Sequence, residues 1–226
     1  MADTTTLISA IDGFEFTALH AQPQGARRGG VVLVQEIFGL DEYVVADVAR
    51  WAALGFEVIA PSMFDRQQPG FVAGHDPAGF EKGIAYAGAN GMENPVSDVQ
   101  ACIDALKAKG PVFLAGYCYG GTIAWLSAAR ATDLAAAACY YGGNIAANAD
   151  LVLACPVICH FGRKDAHIPA DETAATIRAA HPDVPVYIYE KSGHGFNNDG
   201  RPDSDPDDQA LARTRTLALF QANGAT

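Results

Sequence analysis

The stretch PVFLAGYCYGGTIAWLSAAR, residues 111–130, decides the fold. It opens as an unbroken apolar run, the mark of a strand buried on both faces, and closes as a helix of small residues. Between the two, Gly116, Cys118 and Gly120 make a Gly-x-Cys-x-Gly turn. A strand–turn–helix of this spacing holds its central residue in a strained backbone conformation and lifts the side chain above the sheet. The positions two before and two after come so close that only small residues fit. The following helix points its first N–H groups at the sulfur, which suits an anionic nucleophile. A buried core cysteine and a redox thiol are the other two readings of Cys118, and the neighbours it needs differ in each case.

Outward from this turn, strands and helices alternate. TLISA and EFTALHAQP flank the turn IDG as an N-terminal β-hairpin. GGVVLVQ and FEVIAP are buried strands separated by the helix DEYVVADVARWAALG, which stops at Gly55. NPVSDVQACIDALKAKG is a helix; LAAAACYYG, CPVICHFG and VPVYIYE are further strands; PADETAATIRAAHP and DPDDQALARTRTLALFQA are the last two helices. Residues 62–91, rich in Gly and Pro, have weak periodicity and read as an irregular, cap-like excursion within a single domain spanning 1–226. The pattern predicts an α/β fold with a mostly parallel central sheet covered by helices on both faces. Ligands of such sheets sit beyond the carboxyl ends of the strands.

Three loops at those ends carry reactive residue types. Cys118 lies in the first. Asp165 follows the strand CPVICHFG, and His194 lies between two glycines after VPVYIYE. Nucleophile, acid and histidine in this chain order match a nucleophile-elbow hydrolase. His20, His75, His160, His167 and His181 have weaker positions. An oxyanion hole would draw on the backbone N–H of Tyr119, next to the nucleophile, and of Ile37, in the loop QEIFG after an earlier strand. Glu36 ends an all-apolar strand, where a carboxylate is costly to bury without a role; an exposed loop glutamate is the alternative.

The chain has 226 residues, 50% hydrophobic and 18% charged, with a formal net charge of -11. That balance excludes a basic face for nucleic acid or for an anionic membrane surface. MADTTTLISAIDGFEF has no basic stretch before an apolar core, so no signal peptide is expected, and no apolar run is long enough to span a bilayer. Five cysteines without disulfide spacing read as reduced thiols of a cytoplasmic protein. Cys155 and Cys159 are four apart on a buried strand, and Cys102 and Cys139 fall within a helix and a strand, so none has the spacing of a dithiol or zinc site. No metal or other cofactor is expected, and nothing requires an oligomer.

Together VQEIFGL, APSMFDRQQPG, GYCYGG, YYGG, FGRKDAHIP and GHGFNN resemble the dienelactone hydrolase (carboxymethylenebutenolidase) family of the α/β-hydrolase fold, in the right order along nearly the whole chain. The resemblance implies a triad of Cys118, His194 and Asp165 and a Glu36 that contacts the resting thiol. It implies a cysteine-dependent hydrolase of small-molecule lactones or activated esters, acting through a thioester. A non-catalytic receptor for small molecules on the same fold is the rival. Phe38, Tyr141, Lys82, Asn198 and Phe196, in or beside these motifs, are the substrate-binding candidates. The family's best-known members hold a substrate carboxylate with arginines; the matching positions here are Phe80 and Asn198, with Lys82 and Arg201 as possible substitutes.

Overall fold

The architecture comes from a computed structural model that describes residues 2–226. Strands β1 (Asp3–Ile8) and β2 (Glu15–Ala21) form the N-terminal hairpin; β3 (Gly29–Val34), β4 (Phe56–Pro61), β5 (Val112–Tyr117), β6 (Ala136–Tyr140), β7 (Val157–Gly162) and β8 (Val186–Tyr189) follow. They form one sheet in the order β1-β2-β4-β3-β5-β6-β7-β8. The hairpin is antiparallel and joins β4 antiparallel, whereas β4 through β8 are all parallel. The parallel strands β3, β4, β5, β6 and β7 are buried along their whole length, as unbroken apolar runs require.

Helices α1 (Glu42–Ala53), α2 (Pro77–Asn90), α3 (Glu93–Leu106), α4 (Tyr119–Arg130), α5 (Ala170–Ala180) and α6 (Pro206–Ala222) complete the chain. On one face α1 and α6 meet through Trp51 and Phe220, whose rings lie 5.6 Å apart, and Phe220 stacks on Phe113 of β5 at 4.5 Å. The buried side of α6 is Ala212, Thr216 and Phe220, spaced four residues apart. Helices α3 and α4 pack together on the other face. From β3 the chain crosses to β4 on one side and returns to β5 on the other. The crevice at this reversal is where ligands bind in open α/β sheets, and the loops after β3 and β5 carry Glu36 and Cys118.

One expectation is corrected. Residues 62–91 are not irregular throughout, because they contain the fourteen-residue helix α2. Asp76 caps it by accepting from Gly79 N at 2.7 Å, and Pro77 occupies its first turn. Its glycines obscure the helical pattern, but they have a packing reason: a Cβ on Gly83 would lie 2.3 Å from Ile37 O. Only a glycine lets α2 sit this close to the loop after β3.

At the opposite end of the sheet, buried Glu57 of β4 accepts from Arg27 Nε at 2.8 Å and Lys109 Nζ at 2.9 Å, with His20 Nε2 at 3.0 Å. Burial works against ionisation, but these partners overcome it and hold the carboxyl at about 2, against an ordinary 4.5. The depressed value means that Glu57 adds stability above the ordinary range and loses it as pH falls through about 2. Its contribution is about 3 kcal/mol at neutral pH. Urea unfolding from pH 6 down to pH 2 is expected to show this loss in the native chain, with a shallower slope in Glu57→Gln.

Candidate active site

Cys118 is the residue between β5 and α4, and its backbone is left-handed, with φ 54°. That strain is held in place from both sides. A Cβ on Gly116 would fall 1.9 Å from Gly120 O, and one on Gly120 would fall 2.3 Å from Val34 O. Gly120 N donates to Gln35 O at 3.1 Å and Cys118 N donates to Tyr140 O at 3.0 Å, which ties the turn to the ends of β3 and β6. The two glycines are thus the condition for the cysteine to stand above the sheet.

His194 comes to the sulfur from the loop after β8. Its Nε2 is 3.1 Å from Cys118 Sγ, and its Nδ1 is 2.8 Å from Asp165 Oδ2. The other oxygen of Asp165 accepts from His167 N at 2.8 Å and Ile168 N at 3.0 Å, so the carboxylate is fully buried and fully oriented. Burial pushes Asp165 up, but the His194 hydrogen bond and these amides bring it below its ordinary value. Burial pulls His194 down, yet its bonds to Asp165 and Cys118 outweigh that and raise it to about 10. Such an imidazole readily takes a proton from the sulfur.

Ile37 and Tyr119 both line the cleft at Cys118, and their backbone N–H groups have no acceptor among the described residues. Two free donors beside a thiol are the arrangement that an oxyanion would need. Gln35 holds the Ile37 loop: its side chain donates to Glu36 O at 3.2 Å and accepts from Met63 N at 3.2 Å.

Glu36 is buried rather than exposed, with 1% of its surface accessible. No hydrogen bond joins it to the Cys118 thiol among the described residues. The thiol is bonded to His194, and neither carboxylate oxygen of Glu36 has a hydrogen bond among the described residues. Its nearest cation is Arg201, with Nη1 at 3.6 Å. Burial raises Glu36 above the ordinary carboxylate range, with Arg201 and then His194 opposing.

The five substrate-binding candidates do not line the cleft of about 420 Å³ that opens on Cys118 and His194. Phe38 is buried and stacked on His75 at 3.9 Å. Tyr141 and Phe196 are buried with their rings 5.4 Å apart, the Tyr141 ring lying 5.2 Å from that of His194. Lys82 is turned onto Gln68 Oε1 at 2.8 Å, on the far side of α2. Asn198 and Arg201 open onto a separate cavity beside His75 and Arg50. The walls are instead Phe80, Ile84, Ala87 and Gly88 of α2, Met92, Thr122 and Ile123 of α4, Asn144, His167 and Ile168. The spacing of 80, 84, 87 and 88 is one helical face, a signal usable only once α2 is seen to be a helix. Cys102, Cys139 and Cys159 are buried and free, and no group of His, Cys, Asp and Glu suited to a metal ion occurs among the described residues.

The model of the dienelactone hydrolase family matches residues 16–224. The chain belongs to the dienelactone hydrolase family. It is 30% identical to the carboxymethylenebutenolidase of Pseudomonas putida over 220 residues, covering 93% of this chain and 92% of that one. A crystal structure of a candidate dienelactone hydrolase from Klebsiella pneumoniae subsp. pneumoniae superposes with a TM-score of 0.77 at 27% identity, covering 98% and 99% of the two chains. A dienelactone hydrolase-like promiscuous phosphotriesterase from metagenomic libraries shares the fold, with a TM-score of 0.74 at 21% identity over 98% of each chain. As a member of this family the protein is a carboxylic ester hydrolase. No helix among its described residues is long and apolar enough to cross a membrane.

Proposed function

We propose that this dienelactone hydrolase relative cleaves lactones or activated esters through a thioester on Cys118, with His194 and Asp165 completing a triad. The observation that carries this reading is the chain of two hydrogen bonds, Sγ to Nε2 at 3.1 Å and Nδ1 to Asp165 at 2.8 Å, built on a left-handed elbow. With the proton of the Cys118–His194 pair held on His194 Nε2, the sulfur attacks the carbonyl carbon. The oxygen takes the negative charge and is held by the Ile37 and Tyr119 N–H groups. The C–O bond to the leaving group then breaks, and that oxygen takes the proton from His194. Water gives a proton to His194 and adds to the thioester, and the C–S bond breaks to release the acid. Asp165 keeps the Nδ1 proton in place throughout.

Sulfur also sets a selectivity. A thiolate leaves a tetrahedral adduct more readily than an alkoxide, so an adduct from a simple alkyl ester falls back. Enol and phenol leaving groups depart forward. Rapid acid quench of the enzyme with an aryl ester, followed by peptide mass analysis, is expected to find the acyl group on Cys118. An acyl group on another residue, or none at steady turnover, would overturn the thioester route.

Glu36 is assigned an electrostatic part in this scheme. Its buried carboxyl lies in the field of His194, and in its ionised form it favours an imidazolium there. Glu36→Gln is expected to slow acylation by about tenfold. The fold should keep its thermal midpoint or gain a little, because the carboxylate has no hydrogen bond to lose. Unchanged single-turnover rates would leave Glu36 without a role in the chemistry.

A further inference from the structure

We propose that the substrate's acyl part is uncharged and apolar, an inference that rests on the hydrolase reading above and specifies what the cleft takes. None of the fifteen residues lining the cleft is Arg, Lys, Asp or Glu. The cations nearest in the chain are committed elsewhere: Lys82 to Gln68, and Arg201 to Glu36 and the separate cavity. Beyond His194, which is bonded to Asp165 and Cys118, a substrate carboxylate would therefore be stripped of water with no Arg or Lys side chain to replace it. The whole chain carries a net charge of -11, which repels an anion approaching the cleft.

A second observation has the same explanation. Phe80, Ile84 and Met92 are large apolar side chains left 46%, 51% and 40% exposed, and all three face this cleft. Exposed apolar side chains gathered around one concavity mark a surface that an apolar ligand covers. Among the polar side chains at the cleft are Thr122, Asn144 and His167, the His167 ring stacked 6.2 Å from that of Phe80 of α2. They can orient a neutral oxygen of the leaving group.

The test compares two esters with the same leaving group and the same acyl length, p-nitrophenyl hexanoate and mono-p-nitrophenyl adipate. The second differs by a carboxylate in place of the terminal methyl. The native protein is expected to show kcat/KM for the hexanoate higher by at least about tenfold, with the difference mainly in KM. Ile84→Arg, at an exposed position of the α2 wall, should narrow or reverse the ratio. Equal rates, or a preference for the adipate in the native protein, would overturn the apolar assignment and leave the hydrolase reading standing. Hydrolysis of neither ester, or hydrolysis that survives in Cys118→Ala, would overturn the hydrolase reading and this inference with it.

Discussion

Cys118→Ala is expected to lower kcat for p-nitrophenyl ester hydrolysis on the order of 10⁴-fold or more, while the protein stays folded. Without the sulfur no thioester forms, and only the two oxyanion donors and binding remain to assist direct attack by water. Those donors are backbone groups of Ile37 and Tyr119, so the substitution leaves them in place. The side chain of Cys118 is half-buried and carries no hydrogen bond that holds the fold together, its one partner being His194. Alanine also tolerates the left-handed backbone no worse than cysteine does, so the thermal midpoint should change little. A progress curve with an active-site titre, and a melting curve beside it, check both halves. Retained turnover would remove Cys118 from the chemistry.

Asp47→Ala is expected to give the largest loss of stability, about 3–5 kcal/mol. Asp47 of α1 is completely buried and accepts from Arg213 of α6 at 2.6 Å, from Tyr117 Oη of β5 at 2.6 Å and from Trp51 Nε1 at 3.1 Å. One carboxylate thus joins both helices of that face to the strand whose next residue is Cys118. Removing it leaves the Arg213 charge and the Tyr117 hydroxyl without their partner in the interior, which is the costly way to break such a group. For a chain of this length the thermal midpoint should fall by about 10 °C. Arg50 supplies the contrast. It reaches Asp47 only at 3.7 Å and is 38% exposed, so Arg50→Ala should cost under about 1 kcal/mol. Similar losses in the two variants would mean that burial of the pair does not set its strength.

The hairpin, the parallel strands and the loops bearing Cys118, Asp165 and His194 were all legible in the chain. Each depends on local pattern. Continuous apolar runs report burial on both faces, and glycines two residues either side of a cysteine report a close backbone approach. Helix α2 was not legible, because Gly79, Gly83 and Gly88 weaken a helical reading and their purpose lies in contact with another segment. The close approach of Gly83 to Ile37 O exists only when the chain is folded. The walls of the cleft were lost with it, since Phe80, Ile84 and Ala87 share a face only if the segment is helical. His167 carries no local signal of its place for the same kind of reason: it lines the cleft on a loop that Asp165 turns by accepting from His167 N.

Phe38, Tyr141, Lys82, Asn198 and Phe196 do not line the cleft. A residue near another along the chain can point to the opposite side of the same loop, and sequence distance says nothing about which side. By itself, then, the sequence determined the class of fold, the order of the reactive residues and the family. Only the tertiary structure decided that Glu36 is buried without a hydrogen bond beside Arg201 and that one wall of the cleft is an apolar helix face with Lys82 turned away. Strand and elbow patterns are set by interactions within a few residues, whereas the orientation of a side chain toward or away from a cavity is set by what packs against it from elsewhere in the chain.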